Sequence, residues 1–237
     1  MKKATKVTSL SLIAVCASLC ASHSASALAT LSLDDGMGNS ITCQDQAACD
    51  MSPVVGAVAW TGALGVWVVN VSTGLTYPVP GYGSTSRPHL DLNSINASSG
   101  AGMLTVTFTS TDYLPGGPFN SLSQVGGTVL GAGDGAMRAN GPSASFATYW
   151  DPTNSGAMTN LIASLGPFGS GAFSGGAGAS FGPAGGLFSV TQLATLVHTE
   201  AGGSSWNYEF AVPEPGSLAL LGLGLLGLGA TRRRRRA

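Results

Sequence analysis

Leu104-Thr105-Val106-Thr107-Phe108-Thr109 alternates an apolar residue with a threonine throughout. A strand turns successive side chains to opposite faces, so this period of two predicts one buried and one wet face. Both threonine and β-branched apolar residues suit a pleated, half-buried surface. Working outward, the same alternation recurs. Leu90 and Leu92 alternate with His89, Asp91 and Asn93. Trp206, Tyr208 and Phe210 alternate with Asn207 and Glu209. Trp67, Val69 and Val71 are expected on one side of the stretch 65–72, and 143–150 and 188–199 read as further strands. Turn-forming clusters separate them, including Pro115-Gly116-Gly117-Pro118 and Asp151-Pro152. Residues 159–165 could form a short helical turn, and the Gly-rich stretch 166–186 reads as a long loop or an irregular hairpin. Short strands at regular, turn-marked spacing predict an all-β fold: a single β-sandwich, with a jelly roll as one arrangement.

The chain has 237 residues and a formal net charge of −1, but that value hides an asymmetry. All three Lys (Lys2, Lys3, Lys6) lie at the N-terminus and Arg232, Arg233, Arg234, Arg235 and Arg236 at the C-terminus. Between Leu28 and Ala211 only Arg87 and Arg138 oppose ten Asp and Glu, a net of −8. An acidic segment without Lys has no basic patch for phosphates, which argues against nucleic acid as a partner. Its length suits one domain with a sizeable core. Cys43 and Cys49 are its only cysteines. Their spacing is not Cys-x-x-Cys, and in an exported chain it reads as a local structural disulfide.

The ends carry addressing features. Lys2, Lys3 and Lys6 precede a mostly apolar run, 7–19, and Ala25-Ser26-Ala27 is a small-x-small cleavage pattern. The expected cut of this secretory signal helix follows Ala27, with a second option after Ala29. At the other end Val212-Pro213-Glu214-Pro215 precedes an uncharged run, 216–231, and then Arg232 to Arg236. A helix of that length spans about 24 Å, short of the roughly 30 Å hydrocarbon core. Arginines can snorkel and the bilayer can thin, so a marginal, transient span is expected at the inner membrane. The prolines disfavour helix and should keep Glu214 extended and accessible. An ordinary C-terminal anchor with a basic flank meets the same length and charge. Basic residues at both ends place both ends in the cytoplasm and the middle outside.

This tail, Val212-Pro213-Glu214-Pro215 followed by a Leu/Gly helix and an Arg cluster, resembles the PEP-CTERM sorting signal of Gram-negative bacteria. The same tail is also labelled an ice-binding-protein C-terminal domain. The resemblance covers about a tenth of the chain. It implies recognition by an exosortase, a membrane enzyme that cuts near Pro-Glu-Pro, with Val212, Pro213, Glu214 and Pro215 as the sorting motif and Arg232 to Arg236 as the stop and retention element. It implies delivery to the cell surface or to extracellular polysaccharide and biofilm matrix. It implies nothing about the activity of the passenger. The expected domains are therefore a signal peptide over 1–27, a passenger over 28–211 and the sorting signal over 212–237.

No catalytic constellation emerges, and no cofactor or metal site is expected. Gly178-Ala179-Ser180-Phe181-Gly182 has the Gly-x-Ser-x-Gly form, and His198 lies downstream. But no Asp or Glu lies between them, and Pro183 replaces the helix an elbow requires. A serine hydrolase through Ser180 is a remote alternative. His89 beside Asp91 is too sparse for zinc. Asp34, Asp35 and Asn39, with Gly36 and Gly38, suit a turn better than a weak calcium loop. Asn70 and Asn96 begin glycosylation-like triplets, a weak signal in a bacterial chain. Two functional expectations remain: a non-enzymatic surface or matrix protein, or a binding module for polysaccharide or ice. For the second, Trp60, Trp67, Trp150, Tyr77, Tyr82 and Tyr113 are the candidate stacking residues.

Overall fold

The computed structural model describes residues 28–131 and 141–213. The signal segment with Ala25 and Ala27, Arg138, and everything from Glu214 and Pro215 to Arg232–Arg236 lie outside the described residues.

Twelve strands and no helix make up the described chain. They are β1 (Ala29–Asp34), β2 (Ser40–Gln44), β3 (Ala57–Leu64), β4 (Trp67–Leu75), β5 (His89–Ser98), β6 (Gly102–Tyr113), β7 (Phe119–Gly131), β8 (Ser143–Asp151), β9 (Asn160–Phe168), β10 (Gly171–Phe181), β11 (Phe188–His198) and β12 (Gly202–Ala211). They form two six-stranded antiparallel sheets, ordered β2-β1-β6-β11-β8-β9 and β10-β7-β12-β5-β4-β3. From β5 onward the pairs β5–β12, β12–β7, β7–β10 and β6–β11, β11–β8, β8–β9 give the strand order of a jelly roll. The hairpins β1–β2 and β3–β4 widen one edge of each sheet.

The alternation read from the sequence is the packing. Leu104, Val106 and Phe108 are fully buried, as are Leu90, Leu92, Tyr208 and Phe210, and Trp206 is nearly so. Phe146 of β8 crosses between the sheets, with its ring 5.3 Å from both Trp206 and Tyr208 of β12. Buried polar groups pair across the interior: Thr148 Oγ1 with Tyr208 OH at 2.6 Å, Thr76 Oγ1 with Tyr113 OH at 2.7 Å. Burial pushes the Tyr113 hydroxyl up to about 12.

Three local expectations are corrected. Val71 does not share the buried side of Trp67 and Val69: the register slips between Val69 and Val71, and Ser72 takes the inner position. One extra residue, Asn70, reverses the alternation beyond it. Residues 159–165 are not helical but lead into and form β9. The Gly-rich stretch is neither one long loop nor an irregular hairpin: its residues Gly171–Phe181 form β10, which pairs with β7 along the length of the strand. Its inner positions are Phe173, Gly175, Ala177, Ala179 and Phe181. A Cβ at Gly175 would stand 2.9 Å from the Phe168 ring, which stacks on Phe173 at 4.8 Å. Glycine there makes room for an aromatic ring, so low side-chain volume marks close packing.

Candidate functional site at the end of the last strand

The sorting motif leaves the domain from an interior strand. β12 is flanked by β5 and β7, and Ala211 is in register with His89 on one side and Leu122 on the other. Val212 continues the ladder: its N–H donates to the Pro88 carbonyl at 3.0 Å, and its side chain packs against the core. Pro213, which has no N–H to donate, is exposed. The linker between fold and motif is therefore absent: Val212, the first motif residue, directly follows β12 and is still hydrogen-bonded to the folded domain.

Pro213, Val212 and Ala211 line a cleft of about 300 Å³ with Gly81, Gly83, Arg87 and His89. The hairpin Ser84-Thr85-Ser86-Arg87 closes on itself through reciprocal backbone hydrogen bonds of 3.0 and 3.1 Å. Gly83 has φ +77°, and a Cβ there would collide with the Arg87 carbonyl. That position needs glycine for both conformation and space. Beside the cleft, His89 Nε2 lies 2.9 Å from Glu209 Oε1, and Tyr82 OH donates to Asp91 at 3.4 Å. Asp91 and Glu209 stand directly opposite across β5 and β12. Burial, then the Glu209 charge, raises the Asp91 carboxyl above its ordinary value. The sequence placed His89 beside Asp91, but its partner is Glu209, 120 residues away.

The outer face of the same sheet carries a second feature. Asn207 is in register with Asn93 on β5 and with Gly126 on β7. Gly126 has no side chain, and a shallow trough of about 380 Å³ opens over it. Asn93, Asn207, Ser205 and Thr128 supply amides and hydroxyls around it, and Ile95, 47% exposed, supplies an apolar wall. No charged residue lines it.

The other sequence candidates separate. Cys43 and Cys49 form the expected disulfide, Cα–Cα 5.7 Å. Ser180 lies within β10, donating to Asn120 Oδ1 at 2.7 Å. His198 is buried at the end of β11, with Nδ1 2.7 Å from Ser98 Oγ and its ring 4.6 Å from Trp67. Burial lowers its basicity. β7 sets the two apart: Ser180 pairs with Asn120 at its start, while Gly202, against which His198 packs, pairs with Gly131 at its end. At about 3.3 Å per residue these positions are roughly 35 Å apart. Ser180 and His198 are thus not brought together, and no strand-to-helix elbow surrounds Ser180. Asp34 and Asp35 spend their oxygens on the β1–β2 turn: Asp34 accepts from Gly36 N, and Asp35 from Met37 N, Asn39 N and Asn39 Nδ2. Hydrogen bonding, foremost from Asn39, lowers the Asp35 pKa. No cluster of metal-ligating side chains occurs among the described residues. Asn96 is buried, so its glycosylation-like triplet is closed to solvent chemistry. Of the proposed stacking residues, Trp67 and Tyr113 are fully buried, while Trp60, Trp150, Tyr77 and Tyr82 are partly buried.

Sequence reasoning missed the trough and the cleft. Outward placement of Asn93 and Asn207 was legible from period two; their adjacency was not.

Residues 211–236 match the family model of the PEP-CTERM protein-sorting motif. The chain carries that motif from the last residue of β12. No curated protein matches the sequence. Among solved structures the chain is similar to one titled "Structure of TmCBM61 in complex with beta-1,4-galactotriose", at 11% identity and a TM-score of 0.32, over 70% of this chain and 92% of that one. So distant a likeness says nothing about a ligand here.

Proposed function

We propose that this is an exported surface or matrix protein, delivered and processed by an exosortase-type membrane enzyme. The sorting motif at 211–236, beginning where the folded domain stops, carries this reading. In it, 1–27 is a removable signal peptide, 28–211 the passenger and 212–237 the sorting signal, held transiently at the inner membrane before release to the surface or to exopolysaccharide and biofilm matrix. Ala29 is fully buried in β1 and its carbonyl accepts from Asp45 N. That supports signal cleavage after Ala27 over cleavage after Ala29. The Cys43–Cys49 disulfide suits an oxidising, extracytoplasmic compartment. The passenger's role is non-enzymatic in this reading, and the separation of Ser180 from His198 supports that.

The test is location and size in cells with and without the exosortase. Loss of the enzyme is expected to leave a longer, membrane-bound precursor. Equal size and equal release in both strains would overturn the sorting reading.

A second reading, a binding module for a neutral polysaccharide, is favoured by the trough over Gly126. Its amides and hydroxyls match a polyhydroxyl ligand, and the acidic passenger disfavours polyanions. Asn207→Ala with Asn93→Ala is expected to cut retention on the organism's own exopolysaccharide at least tenfold without changing thermal stability. Retention unchanged by the double substitution would remove this reading.

A further inference from the structure

Each sheet has two edge strands, β2 and β9 in one, β10 and β3 in the other. An edge strand offers unpaired N–H and C=O groups to another chain, and folds blunt such edges with shortness, bulges, proline or charge. Three of the four are blunted here. β2 has five residues, β3 carries a bulge between Trp60 and Gly62, and β9 contains Pro167 and two register shifts. β10 has none of these devices. It runs for 11 residues, pairs with β7 without a register shift, and contains no proline and no charge. Among the described residues no strand pairs with its other edge. Ala172, Ser174, Gly176, Gly178 and Ser180 face outward and are exposed. Neither Gly176 nor Gly178 has a positive φ, and a Cβ at either would make only ordinary contacts, 3.5 and 3.7 Å at the nearest. The fold of one copy thus does not demand glycine at these two positions. Glycine inside a strand often marks the close approach of another backbone.

The sequence of β10 is close to its own reverse about Ala177. Phe173 mirrors Phe181, Ser174 mirrors Ser180, Gly176 mirrors Gly178, and Gly175 mirrors the small Ala179. An antiparallel pairing of two copies about that residue would set each side chain beside its like and keep inner faces with inner faces. A two-fold contact requires such self-complementarity. The charge distribution favours the same place. Two arginines oppose ten acids between Leu28 and Ala211, so copies of this passenger repel one another. No Asp, Glu, Lys or Arg occurs in β7, or anywhere from Pro152 to Thr199, which includes β9 and β10. At that corner two acidic copies meet without opposing like charges.

We propose that β10 binds β10 of a second copy, antiparallel and two-fold about Ala177, joining the two sheets that contain it into one continuous sheet. The troughs over Gly126 then lie on one face, where a single polymer can engage both. That consequence rests on the polysaccharide reading; the pairing itself does not.

The experiment follows the full chain in detergent by sedimentation velocity over a range of protein concentrations. The parent is expected to form a reversible dimer. Gly176→Glu with Gly178→Glu sets like charges directly opposite across the axis and should weaken the dimer at least about tenfold, with an unchanged thermal midpoint. Gly176→Lys with Gly178→Lys should do the same. Mixing the two variants should restore association, because opposite charges then face each other. For the register, Cys16 and Cys20 are changed to Ser, while Cys43 and Cys49 stay paired. Ser174→Cys mixed with Ser180→Cys should cross-link on oxidation several-fold more than either alone, since directly opposed Cα atoms stand about 4.5–5.5 Å apart, within disulfide reach. A parent that stays monomeric overturns the proposal. So does a dimer that survives the glutamates, because the tail or another surface then forms it, and so does a mixture that fails to reassociate. Equal cross-linking in the mixture and in the single variants also overturns the two-fold pairing. If the charged variants do not fold, cross-linking decides: product specific to the mixture supports the pairing, and its absence overturns it. Neither polysaccharide nor exosortase is present, so a failed dimer is distinguishable from failed retention or failed sorting.

Discussion

Phe146→Ala is expected to destabilise the domain by about 3–5 kcal/mol, the usual range for deleting a buried phenylalanine. Phe146 is 1% exposed and belongs to β8 of one sheet. Its ring meets Trp206 and Tyr208 of β12 and Phe173 of β10, all in the other sheet, at 5.3, 5.3 and 5.7 Å. Phe168 of its own sheet lies at 6.3 Å. The side chain is therefore an inter-sheet wedge, and the rings of Trp206 and Tyr208 cannot collapse onto an alanine without moving β12, which is paired on both sides. Close packing makes such a void costly because the lining loses dispersion contacts outright. Phe146→Leu should cost clearly less. Urea unfolding followed by tryptophan fluorescence measures both. A loss below about 1 kcal/mol for the alanine variant would show that the two sheets are not coupled through this ring.

Asp151→Asn is expected to cost about 2–3 kcal/mol near neutral pH, with a distinctive pH signature. Asp151 ends β8, is 1% exposed, and accepts from the backbone N–H and the hydroxyl of both Thr153 and Ser155, at 2.6–3.0 Å. Burial works against its ionisation, but the hydrogen bonds from Ser155 and Thr153 outweigh it and hold the carboxyl well below the usual carboxylate range. An asparagine side chain presents donors where these donors already point. Because the folded pKa is depressed, the stabilisation is fully present above the unfolded value near 4 and fades as pH falls through the folded value. The stability gap between wild type and Asp151→Asn should thus be flat from about pH 5 to 8 and narrow steadily as the pH is lowered from about 4. A gap that widens on acidification would contradict this assignment.

The same loop shows why turn chemistry reads well locally and incompletely at a distance. Asp151-Pro152 was recognisable as a strand end because Asp binds its own downstream amides. That Asn154, at φ +61°, also donates to Asp112 of β6 at 2.7 Å was not recognisable, because the two are 42 positions apart. The bulge at Asn70 is similar. Nothing in Trp67-Val68-Val69-Asn70-Val71-Ser72 announces the extra residue; the pairing partner, β5, defines it. The Gly-rich β10 was read as part of a long loop or an irregular hairpin because small residues look like missing structure, whereas Gly175 leaves the space in which the Phe168 ring stacks on Phe173.

By itself the sequence determined what is local and periodic: the all-β class, the inner faces of β5, β6 and β12, the Cys43–Cys49 pair, and the sorting tail with its prolines and arginines. Side-chain alternation, proline's missing amide and the charge flanking an apolar run act over a few residues. Only the tertiary structure decided which strands are neighbours, and therefore everything built across strands. It brought Asn207 beside Asn93 and Gly126, paired His89 with Glu209, kept Ser180 away from His198, and set Arg87 where the motif emerges. Each of these depends on ladder register between distant segments, and register is a collective outcome of burying many side chains at once on a fixed face.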